Sequence, residues 1–239
     1  MGSEQQAKDL IDYIKNKEQV LDTIMEAINK KNQIIDVMDN SIDVIFEKEI
    51  VEVYKRAKTY HKYNFNIHFN YDAMIEEYIQ KGIVNELTNI IDFEGPIAYT
   101  LLLERFKELI NVTKAGARVK RLFDKHLTQV NREKKLELSQ VIYFPKDVKE
   151  KDINYYRLSD NTNRDILEIP ACEMKIAMID ILELQGSVKY DDITHILANF
   201  FGIKALTQSS NEKLSKLIKY VILNSNEFVI KDNYLKIKK

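Results

Sequence analysis

The feature that most constrains the fold of this chain is a pattern that occurs twice. Ile90–Tyr99 (IIDFEGPIAY) and Ile179–Tyr190 (IDILELQGSVKY) each join an apolar, helix-spaced run to a glycine, a short extended segment and a tyrosine. Gly95 and Gly186 lie 91 residues apart, and the helix after each keeps that offset: Tyr99 aligns with Tyr190, Leu102 with Ile193 and Phe106 with Leu197. The next helix aligns at an offset of 95, with Arg118 on Lys213, Val119 on Leu214, Leu122 on Leu217 and Phe123 on Ile218. The difference falls in the turns NVTKAG and KALTQSS, where insertions are tolerated. Two weak patterns that repeat in register support each other. Strand-like runs close each unit: KLELSQVIYF, then EFVIKDNYLKI, which reads as a hairpin around Asp232-Asn233. Helix, strand, helix, turn, helix, strand, strand is the order of a winged helix, a helix-turn-helix variant. Glycine ends the first helix and Pro96 opens the extended segment. Gly82 reads as a break or bend in that helix.

Three prolines and six glycines in 239 residues point to a mainly helical chain of the α+β class. Residues 4–58 contain neither, and apolar residues from Leu10 to Ile45 recur at close to heptad spacing. A long helix or helical hairpin is expected there. The expected organisation is an N-terminal helical segment and linker over 1–70, a first winged-helix unit over 71–158 and a second over 159–239. Asp72 is placed as the N-cap of the helix that opens the first unit. Phe65, Ile67, Phe69 and Tyr71 alternate as in a short strand or extended linker. Tyr54, Tyr60 and Tyr63 interleave with Lys55, Arg56, Lys58, His61 and Lys62, a mixture that either stacks nucleic-acid bases or covers a core edge.

Charge is distributed unevenly beneath a net value of −1. Residues 76–110 carry seven acids against three bases, and residues 114–135 carry eight bases against two acids. On ARVKRLFDKHL, Val119, Leu122, Phe123 and Leu127 are expected to face the core. That leaves Arg118, Arg121 and Lys125 on one stripe, with Lys114 at the entry turn and Lys120 off it. Arg132, Lys134 and Lys135 fall at the start of the hairpin that follows. Guanidinium groups so placed can fork onto phosphate or onto guanine. In the second unit Lys213 and Lys216 take the corresponding helix, where lysine reads phosphate without sequence information. These nine residues form the expected nucleic-acid site, with DNA ahead of RNA.

No enzyme is expected. There is no phosphate-binding Gly-x-x-x-x-Gly-Lys-Ser/Thr, no His-Glu-x-x-His and no Cys-x-x-Cys. The four histidines are scattered, and each is expected to satisfy a local hydrogen bond rather than bind a metal. Glu173-x-Lys175 and Glu133-x-Lys135 mimic part of a nuclease core but lack its aspartate. No catalytic residue, cofactor or metal is assigned. Cys172 is the one cysteine. It is expected to be inert and packed at a helix start, and its solitude fits a reducing, cytoplasmic compartment. Neither a secretory signal in MGSEQQAKDL nor a membrane-spanning run is expected.

The segments VNELTNIIDFEGPIAYTLLLERF…KAGARVKRLF and YRLSDNTNRDILEIPACEMKIAMIDILELQGSVKYDDITHILANFFGI resemble a family. It is the domain of unknown function found at the C-terminus of large bacterial superfamily-one helicases. The resemblance covers roughly residues 84–237. Tyr99 stands where that family often has histidine, and TQSSN (207–211) where a second Arg-x-Gly is common. The resemblance implies DNA metabolism, and either a C-terminal piece of a helicase or a relative without the motor. The expected function is a non-enzymatic, helicase-associated nucleic-acid-binding module. The alternative is a protein-interaction module that binds a helicase core, or another copy of the chain, through the N-terminal heptad helix and the acidic faces.

Overall fold

A computed structural model of the chain describes residues 54–71, 77–159, 164–203 and 206–238. The chain divides into a unit over Met1–Glu49 and a unit over Ile50–Lys239. The expected heptad helix and the Asp72 cap lie outside the described residues.

The fold is mixed α+β, mainly helical, with small sheets. In chain order the described elements are β1 (Ala57–Tyr60), α1 (Glu77–Glu94), β2 (Ile97–Ala98), α2 (Tyr99–Leu109), α3 (Ala117–Leu127), β3 (Lys134–Glu137), β4 (Gln140–Tyr143) and β5 (Tyr156–Ser159). Then come α4 (Ala171–Gln185), β6 (Val188–Lys189), α5 (Ile193–Phe200), α6 (Gln208–Leu223), β7 (Phe228–Lys231) and β8 (Tyr234–Ile237). The order helix, strand, helix, helix, hairpin thus occurs twice. The sheets β2-β4-β3 and β6-β8-β7 share one strand order, with the short strand paired antiparallel to the hairpin's second strand.

Each copy buries its own apolar core. On α1, Ile79, Ile83, Leu87, Ile90 and Ile91 are buried at helical spacing, and Glu94 is the one charged residue of the helix buried with them. The residues that align between the copies are the ones that pack. Leu102, Phe106, Val119 and Phe123 fill the first core, and Ile193, Leu197, Leu214 and Ile218 the second. Leu122 is half-buried where Leu217 is buried.

The two aligned glycines meet different needs. Gly186 caps α4 at φ 74, the left-handed region that a side chain resists. Gly95 is needed for closeness: a Cβ there would lie 2.4 Å from the Ile91 carbonyl oxygen and 2.7 Å from Pro145 Cδ. The peptide bond that follows it, Gly95-Pro96, is cis. Gly95→Ala is expected to lower stability by about 1–3 kcal/mol through overpacking, as read from the urea midpoint.

One reading from the sequence is corrected. Gly82 does not break α1, which runs through it; its missing side chain makes room for Phe69, whose Cζ would lie 2.7 Å from a Cβ. Of the two readings of Phe65–Tyr71, the short strand does not form and the linker does; the strand before α1 is Ala57–Tyr60, which pairs in parallel with β5. The irregular stretch after β1 is held by the Phe69 amide donating to the Leu109 carbonyl at 2.9 Å.

Part of the basic-aromatic mixture packs within the fold. Tyr60 is buried, with the Arg164 and Arg157 guanidiniums 4.8 and 5.3 Å from its ring centre. Lys58 sits over Tyr155, and Arg56 pairs with Asp180 and Glu183.

A buried ionic network ties the two copies together. Arg157, on β5, donates to the Glu94, Gly95 and Pro96 carbonyls of the first copy and to the Glu173 carboxylate on α4 of the second. Arg164 donates to the other oxygen of Glu173 at 2.9 Å. Burial alone would raise the Glu173 pKa, but the two guanidiniums hold it below its ordinary value. Glu94 in turn accepts from Arg105 at 2.8 Å, from the Tyr63 amide at 2.9 Å and from the Tyr60 hydroxyl. Glu137 of β3 accepts from the Ala171 amide, the first of α4, at 2.8 Å.

Candidate nucleic-acid interface

Helix α3 owes its place to three buried apolar residues, Val119, Phe123 and Leu127. At about 100° per residue these leave an outward arc centred near Arg121. Arg118 and Lys125 flank it on the side of α1: the Arg118 guanidinium lies 5.5 Å from the centre of the Tyr71 ring, and Lys125 donates to Gln80 at 3.4 Å. Lys120 flanks the other side, its ammonium 5.9 Å from the centre of Tyr99. The Tyr99 hydroxyl donates to Asp124, the one acid on α3, at 2.7 Å. Tyr143, the cross-strand partner of Lys134, pairs on its other side with Ile97, two residues before Tyr99. Lys114, Arg118, Lys120, Arg121, Lys125 and Lys134 are all exposed. None is ion-paired to a carboxylate among the described residues.

Two expected contacts stand apart from this free set. Arg132 grips Asp92 through two bonds, with Nε–Oδ1 at 2.6 Å, and its side chain is only 14% exposed. Hydrogen bonding to Arg132 lowers the Asp92 pKa. Lys135 pairs with Glu150 at 2.5 Å and faces Tyr220 of α6, with its ammonium 5.9 Å from the ring centre. These two cations can reach phosphate only by giving up a carboxylate. Arg132→Ala is therefore expected to leave the salt dependence of nucleic-acid binding unchanged, measured by titration beside the wild type.

The acids that could have quenched the basic face are occupied elsewhere. Glu104 pairs with Lys107, and Glu108 with Lys62 at 2.7 Å and Arg105 at 3.5 Å. In the second copy Lys213 and Lys216 are exposed on α6. Helical geometry puts them on the stripe of Tyr220, so their row runs toward the first hairpin at Lys135.

Glu173, of one of the two Glu-x-Lys segments, is buried between Arg157 and Arg164. Cys172 is packed at the start of α4, as expected, and burial followed by the nearby Glu173 charge pushes its thiol pKa up. Among the described residues no group of three or more His, Cys, Asp or Glu is placed to hold a metal. No described helix is long and apolar enough to cross a membrane.

His126 corrects the expectation that each histidine meets a local partner. It lies on α3 at 0% exposure with neither ring nitrogen hydrogen-bonded. Its i+4 spacing from Leu122 and i+3 spacing from Phe123 could have marked it as a core position. Burial, then the charge of Lys125, lower its pKa from 6.5. Below pH 6.5 the unfolded chain therefore takes up a proton that the folded chain refuses. Stability from this site is full above that pH and falls as pH drops toward the folded pKa, by up to about 1.4 kcal/mol per pH unit. His126→Leu is expected to flatten the urea midpoint between pH 6.5 and 5.5 relative to wild type.

No protein-family model, curated protein or solved structure matches this chain.

Proposed function

We propose that the described unit is a pair of tandem winged helices forming a non-enzymatic nucleic-acid-binding module, for DNA rather than RNA, within a helicase-type protein. The observation that carries this reading is the outward face of α3: Arg118, Arg121 and Lys125, with Lys114 and Lys120 at its margins, exposed and free of described carboxylates. A polyanion supplies the missing counter-charge, and neutralising its phosphates releases condensed cations. Lys213 and Lys216 add phosphate contacts from the second unit. The resemblance to helicase C-terminal domains supplies the context in DNA metabolism. The alternative interaction module depends on an expected N-terminal helix outside the described residues and on acidic faces of which Asp92, Glu94 and Glu108 are already engaged by Arg132, Arg105 and Lys62. The test is fluorescence anisotropy of labelled duplex, forked and single-stranded DNA at about 50 and 200 mM salt. Binding that weakens steeply with salt is expected. No binding to any of the three at low salt removes the proposal.

A further inference from the structure

Of the five non-glycine residues with positive φ among those described, four are Asn or Asp, which tolerate that region. The fifth is Leu138, at φ 54, in the turn of the β3–β4 hairpin. The equivalent turn of the second copy uses Asp232 and Asn233, at φ 54 and 63, the residues such a hairpin favours. One architecture thus carries an ordinary turn in one copy and a strained, apolar one in the other. Leu138 is 49% exposed, and Leu136, two positions back on β3, is 65% exposed. Lys134 shares the exposed face of β3 with Leu136, while Lys135 and Glu137 point the other way, to Glu150 and the α4 amide. The outer face of the hairpin therefore reads cation, leucine, leucine from base to tip, and its base pairs through β4 with the strand that leads into Tyr99, whose hydroxyl bonds Asp124 of α3.

Strain kept at an exposed position is a signature of function, and apolar side chains beside cations suit one polyanion in particular. We propose that Leu136 and Leu138 form a wedge that enters the minor groove of duplex DNA and partly unstacks one base step, with Lys134 on the flanking phosphate. This rests on the reading of α3 as the DNA-binding face. Proteins that insert leucine between base steps kink the duplex there. Pyrimidine–purine steps, TA and CA, open most easily, so the wedge selects them without hydrogen bonds to bases.

The test uses the whole chain and short duplexes carrying 2-aminopurine at successive TA and CA steps, with a fluorescein end-label for anisotropy. Wild type is expected to raise 2-aminopurine fluorescence at least twofold at one or more of these steps. Leu136→Ser/Leu138→Asn gives the turn a residue suited to its backbone, so its thermal midpoint is expected to hold or rise. It should keep anisotropy binding within about threefold while the fluorescence rise is lost. Binding by wild type without any rise, or an equal rise with the double variant, overturns the wedge and leaves the α3 reading intact. No binding at all removes both. If the double substitution instead abolishes a concentration-dependent self-association in sedimentation and leaves the fluorescence rise unchanged, the tip is a protein contact and the wedge is wrong.

Discussion

Glu173→Gln is expected to lower the unfolding free energy by about 3–5 kcal/mol, the cost of leaving buried charge without its partner. Glu173 is fully buried and is the carboxylate between Arg157 and Arg164. The amide keeps the shape but removes the anion, so two guanidiniums face each other without a counter-charge. Arg157 is also the residue that satisfies the carbonyls of Glu94, Gly95 and Pro96, and moving it disturbs the first copy as well. A domain of this size commonly has only about 5–15 kcal/mol of stability in total, so a large share is at stake. Urea unfolding at neutral pH should show a midpoint lower by at least about 1 M. An exposed control, Lys219→Ala, should stay within about 0.5 kcal/mol. A Glu173→Gln midpoint as close to wild type as that control would mean that the network is dispensable to the pairing of the two copies.

Arg118→Ala/Arg121→Ala is expected to produce the largest loss of DNA binding. Each guanidinium removed from a phosphate should lower the slope of log K against log salt by about 1, and so by about 2 for the pair. Affinity at about 50 mM salt should fall at least tenfold, and the gap should narrow as salt rises. Because both side chains are exposed, the urea midpoint should not move. An unchanged slope would place the DNA elsewhere on the surface.

The repeat was legible in the sequence because core packing obeys periodicity. Leu102 with Ile193 and Phe123 with Ile218 align as residues and pack as residues. Turn chemistry marked the Asp232-Asn233 hairpin for the same local reason. The network around Arg157 was not legible. Its partners, Glu94 and Glu173, lie 63 and 16 residues away, and no local spacing announces such pairing. In the fold these charges join the two copies. The segments EGPI and EIPACEM meet at Arg157. The basic face was half legible. Helical spacing separated Arg118, Arg121 and Lys125 from the core, but charge alone could not distinguish the free Arg121 from Arg132, which Asp92 holds across 40 residues. The apolar tip at Leu138 escaped notice because a leucine in a strand-like run looks like core until its exposure and backbone angle are known.

The most direct measurement of the central claim is a map of backbone amide shifts as short duplex DNA is added to isotopically labelled protein at low salt. The account predicts that perturbed amides cluster over 114–125 on α3 and its entry turn, with a second cluster at 134–138 on the first hairpin. Amides of the core face of α1 and of the Arg157–Glu173 junction should stay in place. Shifts concentrated on the acidic surface of α1 and α2, with α3 unmoved, would contradict it.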